Sequence, residues 1–484
     1  MKDLTVRQDA SIRDAITAIG ANVLGIVFVV DADDRLVGTA TDGDIRRGLL
    51  QGKTLDDRID GVMLADCVAL PVTTPPEDVI ASFSKKIRVI PLVDEHRRVK
   101  DYATPYKHHR IPVASPNLDG RELEYVIEAV RSGWISSRGR YIREFEHGFA
   151  EYVGAPHAIA VSNGTVALHL ALVAHGIGPG DEVIVPDLTF AATINVVLHA
   201  GATPVIVDVD RHTWNIDPER VAAAITPRTK AIMPVHLYGQ PADMDALEAL
   251  ADKHGLMIIE DAAEALGSEW RGRKVGGLGH SAGFSFFANK TITTGEGGML
   301  TVQDDAVAAR ARQLRDHGMN TEKRYWHDFV GFNYRMTNLQ GAIGVAQLER
   351  VEGLVGQKIT LAGWYRERLS GLDALELPVE LPDTVNSNWA FSIVFKDYGA
   401  AGSRNEVMAQ LARSGVETRP LFYPLHVMPP YRTYPAGPLT VSQELSDRGL
   451  TLPSSVNTTL DEVDYVCECL HQLFKSAELP KLSG

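Results

Sequence analysis

Short apolar runs alternate with polar turns in the first hundred residues. Gly25-Ile-Val-Phe-Val-Val30 is followed by an Asp-rich turn at Asp31 to Asp34 and by Arg35-Leu-Val-Gly-Thr39, a pattern that predicts a β-hairpin. A looser copy follows: Lys86-Ile-Arg-Val-Ile-Pro-Leu-Val-Asp94, a turn at Glu95-His-Arg-Arg98, then Val99-Lys-Asp-Tyr102. Two related half-units are therefore expected over residues 1–110. The segment His108 to Pro116 carries two prolines and no periodicity, and a domain boundary is placed there. Beyond it the rhythm changes to apolar strands separated by amphipathic helices: Glu182–Val185, Pro204–Asp208, Lys230–Pro234 and Leu256–Glu260, with a helix over Asp243 to His254. Strands that are apolar throughout are buried on both faces, which predicts a large, mostly parallel sheet domain over 111–370 that ends in a helix-rich stretch from Thr337 to Leu369. A strand at Asn388–Phe395, a helix at Asn405–Ser414 and an irregular Pro- and aromatic-rich loop from Arg419 to Tyr431 predict a smaller α/β domain over 371–484.

Composition narrows the classes. With 484 residues, 45% hydrophobic and 23% charged, the chain can bury large cores. A formal net charge of −14 argues against nucleic acid as a partner. The apolar run from Val23 to Val30 is far shorter than the ~20 residues of a membrane span. Cys67, Cys467 and Cys469 form no paired framework and no metal-ligand pattern, so a cytoplasmic protein without a metal site is expected.

Ligands of parallel sheets gather at the carboxyl ends of the strands, where Asp187, Asp208, His236 and Asp261 stand. For Asp187 and Asp208 an ordinary turn or capping role explains the acid equally well. Ser162-Asn-Gly-Thr165 precedes the helical Val166 to Val173, so its amides and the Thr165 hydroxyl lie at a helix N-terminus, where a phosphate is favoured and where a plain cap is also at home. Lys290 follows the apolar Phe284-Ser-Phe-Phe287 and precedes two threonines and a glycine-rich loop, a setting that desolvates an amine and makes it a nucleophile and base. Lys290 and Asp261 together are what pyridoxal phosphate requires: an amine for the aldehyde and a carboxylate for the pyridine nitrogen.

These segments resemble the pyridoxal-phosphate sugar-nucleotide aminotransferases of fold type I, within them the GDP-perosamine synthase branch, from about Ile111 to the end. The resemblance rests on Val161–Thr165, Pro186-Asp-Leu-Thr-Phe190, Thr213-Trp-Asn-Ile-Asp-Pro218, Ile259 to Gly267, Asn289 to Gly298, Gly331-Phe-Asn-Tyr-Arg-Met-Thr337, Glu417-Thr-Arg-Pro420 and Tyr423-Pro-Leu-His426. It implies that Lys290 carries pyridoxal 5'-phosphate, that Asp261 pairs the ring nitrogen, that Gly164, Thr165 and Ser285 hold the phosphate, and that Phe190 covers a ring face. It further implies that Glu264 contacts the cofactor, and that Asn333 reaches the cofactor phosphate of a neighbouring subunit, so that a homodimer shares its active sites. Tyr334, Arg335 and His426 become substrate-side groups. Dehydratase relatives carry histidine in place of the lysine, so Lys290 points to transamination, with L-glutamate as donor and the C4 ketone of a nucleotide-linked 4-keto-6-deoxy sugar as acceptor. GDP-4-keto-6-deoxymannose is the favoured acceptor; a UDP- or dTDP-linked sugar keeps the same chemistry.

Residues 1–110 resemble a cystathionine-β-synthase (CBS) domain pair, a module that binds adenine nucleotides between its halves. Leu36-Val-Gly-Thr-Ala-Thr-Asp-Gly-Asp-Ile45 places Thr41 and Asp44 at the positions for phosphate and ribose hydroxyls, whereas Val99-Lys-Asp-Tyr-Ala103 lacks the glycine and the Thr-to-Asp spacing. The segment reads either as a nucleotide sensor or as a packing module. A reading of another class, a regulatory protein on a catalytically silent aminotransferase scaffold, is opposed by intact Lys290 and Asp261.

Overall fold

The computed structural model describes residues 4–22, 24–84, 87–104, 111–398, 402–434 and 437–475. Residues 108–110 of the proline-containing boundary segment and the start of the second copy at Lys86 fall outside them. Contacts group the chain into two units: one of Met1–Ile111 with Asp397–Thr418 and Asp464–Gly484, the other of Pro112–Lys396 with Arg419–Val463.

The first unit contains the two expected half-units. Thr5–Arg7 lies parallel to Ile26–Val30, which pairs antiparallel with Leu36–Thr41. Leu70–Pro71, Ile90–Val93 and Val99–Ala103 repeat the same order and directions. The strand Ile26–Val30 is buried throughout because its alternating side chains serve two clusters. Val27 and Val29 pack with Ile12, Ala15, Ile45 and Ile59, while Ile26 and Phe28 pack with Leu36 and Val93. Ser11 caps the helix Ile12–Ala21 and Thr41 caps Asp42–Leu50, each through a reciprocal bond with the Asp three residues on. The helix Arg404–Arg413 and most of Leu460–Lys475 belong to this unit, where Ile111 exchanges backbone hydrogen bonds with Gly415 and Glu417.

The second unit is built on a seven-stranded sheet. Its spatial order is His157–Val161, Gly298–Val302, Ser281–Ser285, Met257–Asp261, Thr229–Ile232, Glu182–Pro186 and Thr203–Val207. Only Gly298–Val302 runs against its neighbours. The period of two explains the apolar runs: Ile184, Ile232 and Ile258 enter one core cluster, while Val183, Val185, Ala231 and Ile259 enter the cluster on the opposite face. Helices Gly164–Ala174 and Ala192–His199 supply the second cluster; Arg140–Val153 and Met244–His254 supply the first. A smaller four-stranded sheet orders Leu375–Glu376, Ser392–Phe395, Gly449–Thr451 and Arg419–Pro420. The strand expected from Asn388 begins only at Ser392, because Asn388 adopts a left-handed φ of 50° and its N–H is taken by the Asn386 side chain at 2.7 Å. Among the described residues no helix is long and apolar enough to cross a membrane.

The first cluster holds four phenylalanines, three of them gathered on Phe149. Phe149 has no exposed surface and meets the rings of Phe145, Phe284 and Phe286 at centroid distances of 6.0, 4.9 and 5.5 Å. Phe149→Ala is expected to lower stability by about 3–5 kcal/mol, read as a fall in the urea midpoint; a loss below about 1 kcal/mol would mean that the cluster relaxes around the hole.

Candidate active site

Each strand end delivers its polar residue differently. Asp187 is fully buried; its Oδ1 accepts from the backbone N–H of His426 at 2.9 Å, and its Oδ2 accepts from the Ser442 hydroxyl and lies 2.6 Å from His426 Nδ1. Asp208 accepts from the backbone N–H groups of Val441 and Ser442 at the start of the helix Thr440–Arg448. Both acids thus fasten His426, Val441 and Ser442 to the large sheet, a structural role in place of a local turn or a ligand contact. His236 pairs with Glu260 at 3.0 Å with neither side chain exposed. Asp261 alone of the four lines the cavity of about 740 Å³ at this edge of the sheet.

Asp261 is the last residue of its strand, and its carboxylate accepts from the Thr193 hydroxyl at 2.7 Å and from the Ala263 N–H at 3.2 Å. Burial pushes its carboxyl above the usual range, opposed by the Thr193 bond and by Lys290. Glu264 is raised for the same first reason; its Oε2 accepts from the Tyr238 N–H at 3.0 Å and its Oε1 lies 3.7 Å from Lys290 Nζ. Burial in turn pushes the Lys290 amine down, against the pull of Glu264 and Asp261. Lys290 Nζ also sits 3.9 Å from the centroid of the Trp389 ring.

The loop carrying Lys290 closes on itself. Thr293 donates its hydroxyl to the Phe286 carbonyl at 3.0 Å and accepts from the Gly295 N–H at 2.9 Å, while Thr294 donates its N–H to Phe286 at 3.0 Å and its hydroxyl to Glu296 at 2.7 Å. Thr293 and Thr294 therefore serve the loop.

Opposite lies the N-terminus of the helix Gly164–Ala174. Asn163 caps it by accepting from Val166 at 3.0 Å, and Gly164, Thr165 and Ser285 face the cavity. A Cβ at Gly164 would stand 2.8 Å from Ser285 Cβ and 3.2 Å from the Phe284 carbonyl, so the helix can reach the strand this closely only with glycine. Free helix N–H groups, two hydroxyls and a glycine form a cradle of the kind a phosphate fits. Across the cavity Phe190, Phe422, Tyr238 and Trp389 form an aromatic wall, with Tyr238 stacked between Phe422 and Trp389 at 5.5 and 6.2 Å.

Gly164, Thr165, Phe190, Asp261, Glu264, Ser285, Lys290 and Tyr334 thus line one cavity, and Asn333, Arg335 and His426 do not. Arg335 donates to Asn333 at 3.0 Å and to Asp316 at 2.7 Å, and His426 is held by Asp187. In the first unit Thr41 and Asp44 form the reciprocal cap of their helix, with Thr41 Oγ1 donating to Asp44 at 2.6 Å. Sequence reasoning missed Thr193, Tyr238, Trp389 and Phe422; the last three offered only an aromatic next to a strand or loop as a cue, and Thr193 offered none.

The sequence profile of the DegT/DnrJ/EryC1/StrS aminotransferase family matches residues 116–471. The chain belongs to this aminotransferase family. Residues 1–51 match the CBS domain. A GDP-perosamine synthase from Caulobacter vibrioides is 50% identical over 365 residues, 75% of this chain and 98% of that protein. The GDP-perosamine synthase of Escherichia coli O157:H7 is 45% identical, with the same coverage. Among solved structures, an aminotransferase from Psychrobacter cryohalolentis superposes with a TM-score of 0.72 at 33% identity, over 75% of this chain and 98% of that one. The PLP form of a Streptococcus pneumoniae aminotransferase gives 0.72 at 28% identity, over 76% and 100%. The seven-stranded sheet is thus the fold type I sheet of these aminotransferases.

Gly164→Ala is expected to weaken pyridoxal 5'-phosphate binding at least tenfold, about 1.4 kcal/mol, in calorimetric titrations, with helix content unchanged by circular dichroism. Unaltered affinity would place the phosphate elsewhere.

Proposed function

We propose that this protein transfers the amino group of L-glutamate to C4 of GDP-4-keto-6-deoxy-D-mannose, giving GDP-perosamine and 2-oxoglutarate for surface polysaccharide. The supporting observation is the 45–50% identity to GDP-perosamine synthases over nearly their whole length, in a chain that holds the Lys290 side chain, 13% exposed, beside the buried Asp261 and Glu264. The cofactor is pyridoxal 5'-phosphate, which the phosphate cradle, the aromatic wall and the facing carboxylate fit. When bound, it supplies an aldehyde that condenses with amines and a ring that draws electrons from the adjoining carbon. Lys290, biased toward its neutral form by burial, is the base that takes a proton from the substrate carbon and returns it in each half-reaction. Asp261 offers its carboxylate to the ring nitrogen, and Thr193 keeps that carboxylate oriented. Gly164, Thr165 and Ser285 hold the phosphate, Phe190 covers a ring face, and Glu264 orients the Lys290 amine.

We assign Tyr334 to the substrate side, and place Arg335 and His426 there as family positions. Asn333 is exposed and off its own chain's cavity, which supports its serving the site of a second copy in a homodimer. The functional division is drawn at about residues 110 and 370, and the reaction is placed in the cytoplasm.

The test is product formation by mass spectrometry with GDP-, UDP- and dTDP-linked 4-keto-6-deoxy sugars, glutamate and pyridoxal phosphate. Amination of the GDP sugar, abolished in Lys290→Ala, is expected; preference for another sugar would overturn the acceptor and keep the chemistry. For the CBS unit, Thr41 and Asp44 are read as an adenine-nucleotide site. ATP, ADP or AMP is then expected to raise the melting temperature of the wild type and not of Asp44→Asn, because a ligand of the folded state stabilises it. No shift with any of them leaves a packing module.

A further inference from the structure

Lys358 lies in the middle of the helix Val351–Leu369 and is only 3% exposed. Its neighbours along that helix, Leu354, Val355, Leu361 and Tyr365, are ordinary core residues. A lysine there is costly unless its donors are used, and among the described residues no carboxylate pairs with it. Its ammonium instead donates to two backbone carbonyls, that of Trp389 at 2.9 Å and that of Ser454. Both residues line the active-site cavity.

Trp389 is the one that leads to the chemistry. Its indole N–H donates to the carbonyl of Asn289 at 2.9 Å, the residue before Lys290, and its ring face receives the Lys290 ammonium. The tryptophan is therefore held at its carbonyl by Lys358, at its indole nitrogen by the lysine loop, and on its outer face by Tyr238. Anchoring of the helix itself is already provided one face-repeat away, where the Tyr365 hydroxyl donates to the Pro453 carbonyl at 2.9 Å and its ring stacks on Phe391. What Lys358 adds is a fixed Trp389 backbone. Burial, and then the charge of Lys290, push the Lys358 amine down to about 7, as expected for a group that shares its surroundings with the site.

We propose that Lys358 is a positioning residue of this aminotransferase: it clamps the carbonyls of Trp389 and Ser454 and, through the indole, sets where Lys290 holds its amine. The inference rests on the reading that Lys290 carries the cofactor.

A double-mutant cycle on the holoenzyme tests it, because coupled residues lose function non-additively and independent ones do not. Lys358→Met is expected to lower kcat at least tenfold with KM for the GDP sugar within threefold, and to weaken the visible circular-dichroism band of the bound cofactor. Trp389→Leu is expected to do the same. The double variant should fall within twofold of Trp389→Leu alone, by both readouts, and Lys358→Gln, which retains a donor, should recover part of the loss. Should Lys358→Met fail to fold, Lys358→Gln carries the cycle. Losses that multiply, or a Lys358 variant with lowered melting temperature but unchanged kcat and visible band, would overturn the proposal. A borohydride-fixed phosphopyridoxyl group found on a lysine other than Lys290 overturns the cofactor reading and this inference with it; an adduct on Lys290 with multiplying losses in the cycle overturns this inference alone.

Discussion

Lys290 is largely shielded from water beside two buried carboxylates, and that desolvation drives all three groups toward their neutral forms while the lysine's attraction to the carboxylates draws them toward charge. In the proposed reaction that opposition lets a proton move between the lysine and a neighbouring carbon instead of staying fixed on an ammonium. It holds only while water is kept out and the three side chains keep their places. The surrounding structure meets that condition: Thr193 and Ala263 hold Asp261, the Tyr238 amide holds Glu264, and Trp389 covers the ammonium.

The sheet makes the arrangement affordable in structural terms. Strands apolar on both faces give a rigid, dry platform, and the residues just beyond their carboxyl ends are the first that can be polar. Neighbouring positions are then divided between two tasks. Asp187 and Asp208 take up backbone and side-chain donors from His426, Val441 and Ser442, while Asp261 faces the cavity. The glycines at 164 and 298 serve closeness: a Cβ at Gly298 would stand 2.5 Å from the Asn163 carbonyl, so the helix that carries the anion cradle can rest on the strand beside it.

Much of this was legible from the chain. The hairpins at residues 26–41 and 90–103, the parallel strands and the helix starting after Asp243 follow from local periodicity and caps. Lys290 and Asp261 were legible because each stands at the end of an apolar run, where desolvation is built in. The rest depends on contacts between distant segments. Nothing near Thr193 announces that its hydroxyl reaches Asp261, and nothing near Trp389 announces that its ring meets Lys290. The strand expected from Asn388 starts at Ser392 because a side-chain bond from Asn386 turns the backbone first. Thr41 and Asp44, the residues of the nucleotide motif, also cap their own helix.

The identity of the lysine is the point on which the chemistry turns, and it can be read directly. Yellow holoenzyme would be reduced with borohydride, digested, and mapped by peptide mass spectrometry for the lysine that carries the phosphopyridoxyl group. A single modified peptide containing Lys290, with no adduct on Lys358 or on Lys274, is the expected result. An adduct on another lysine, or none in protein that remains yellow, would contradict the placement of the reacting amine between Asp261 and Glu264.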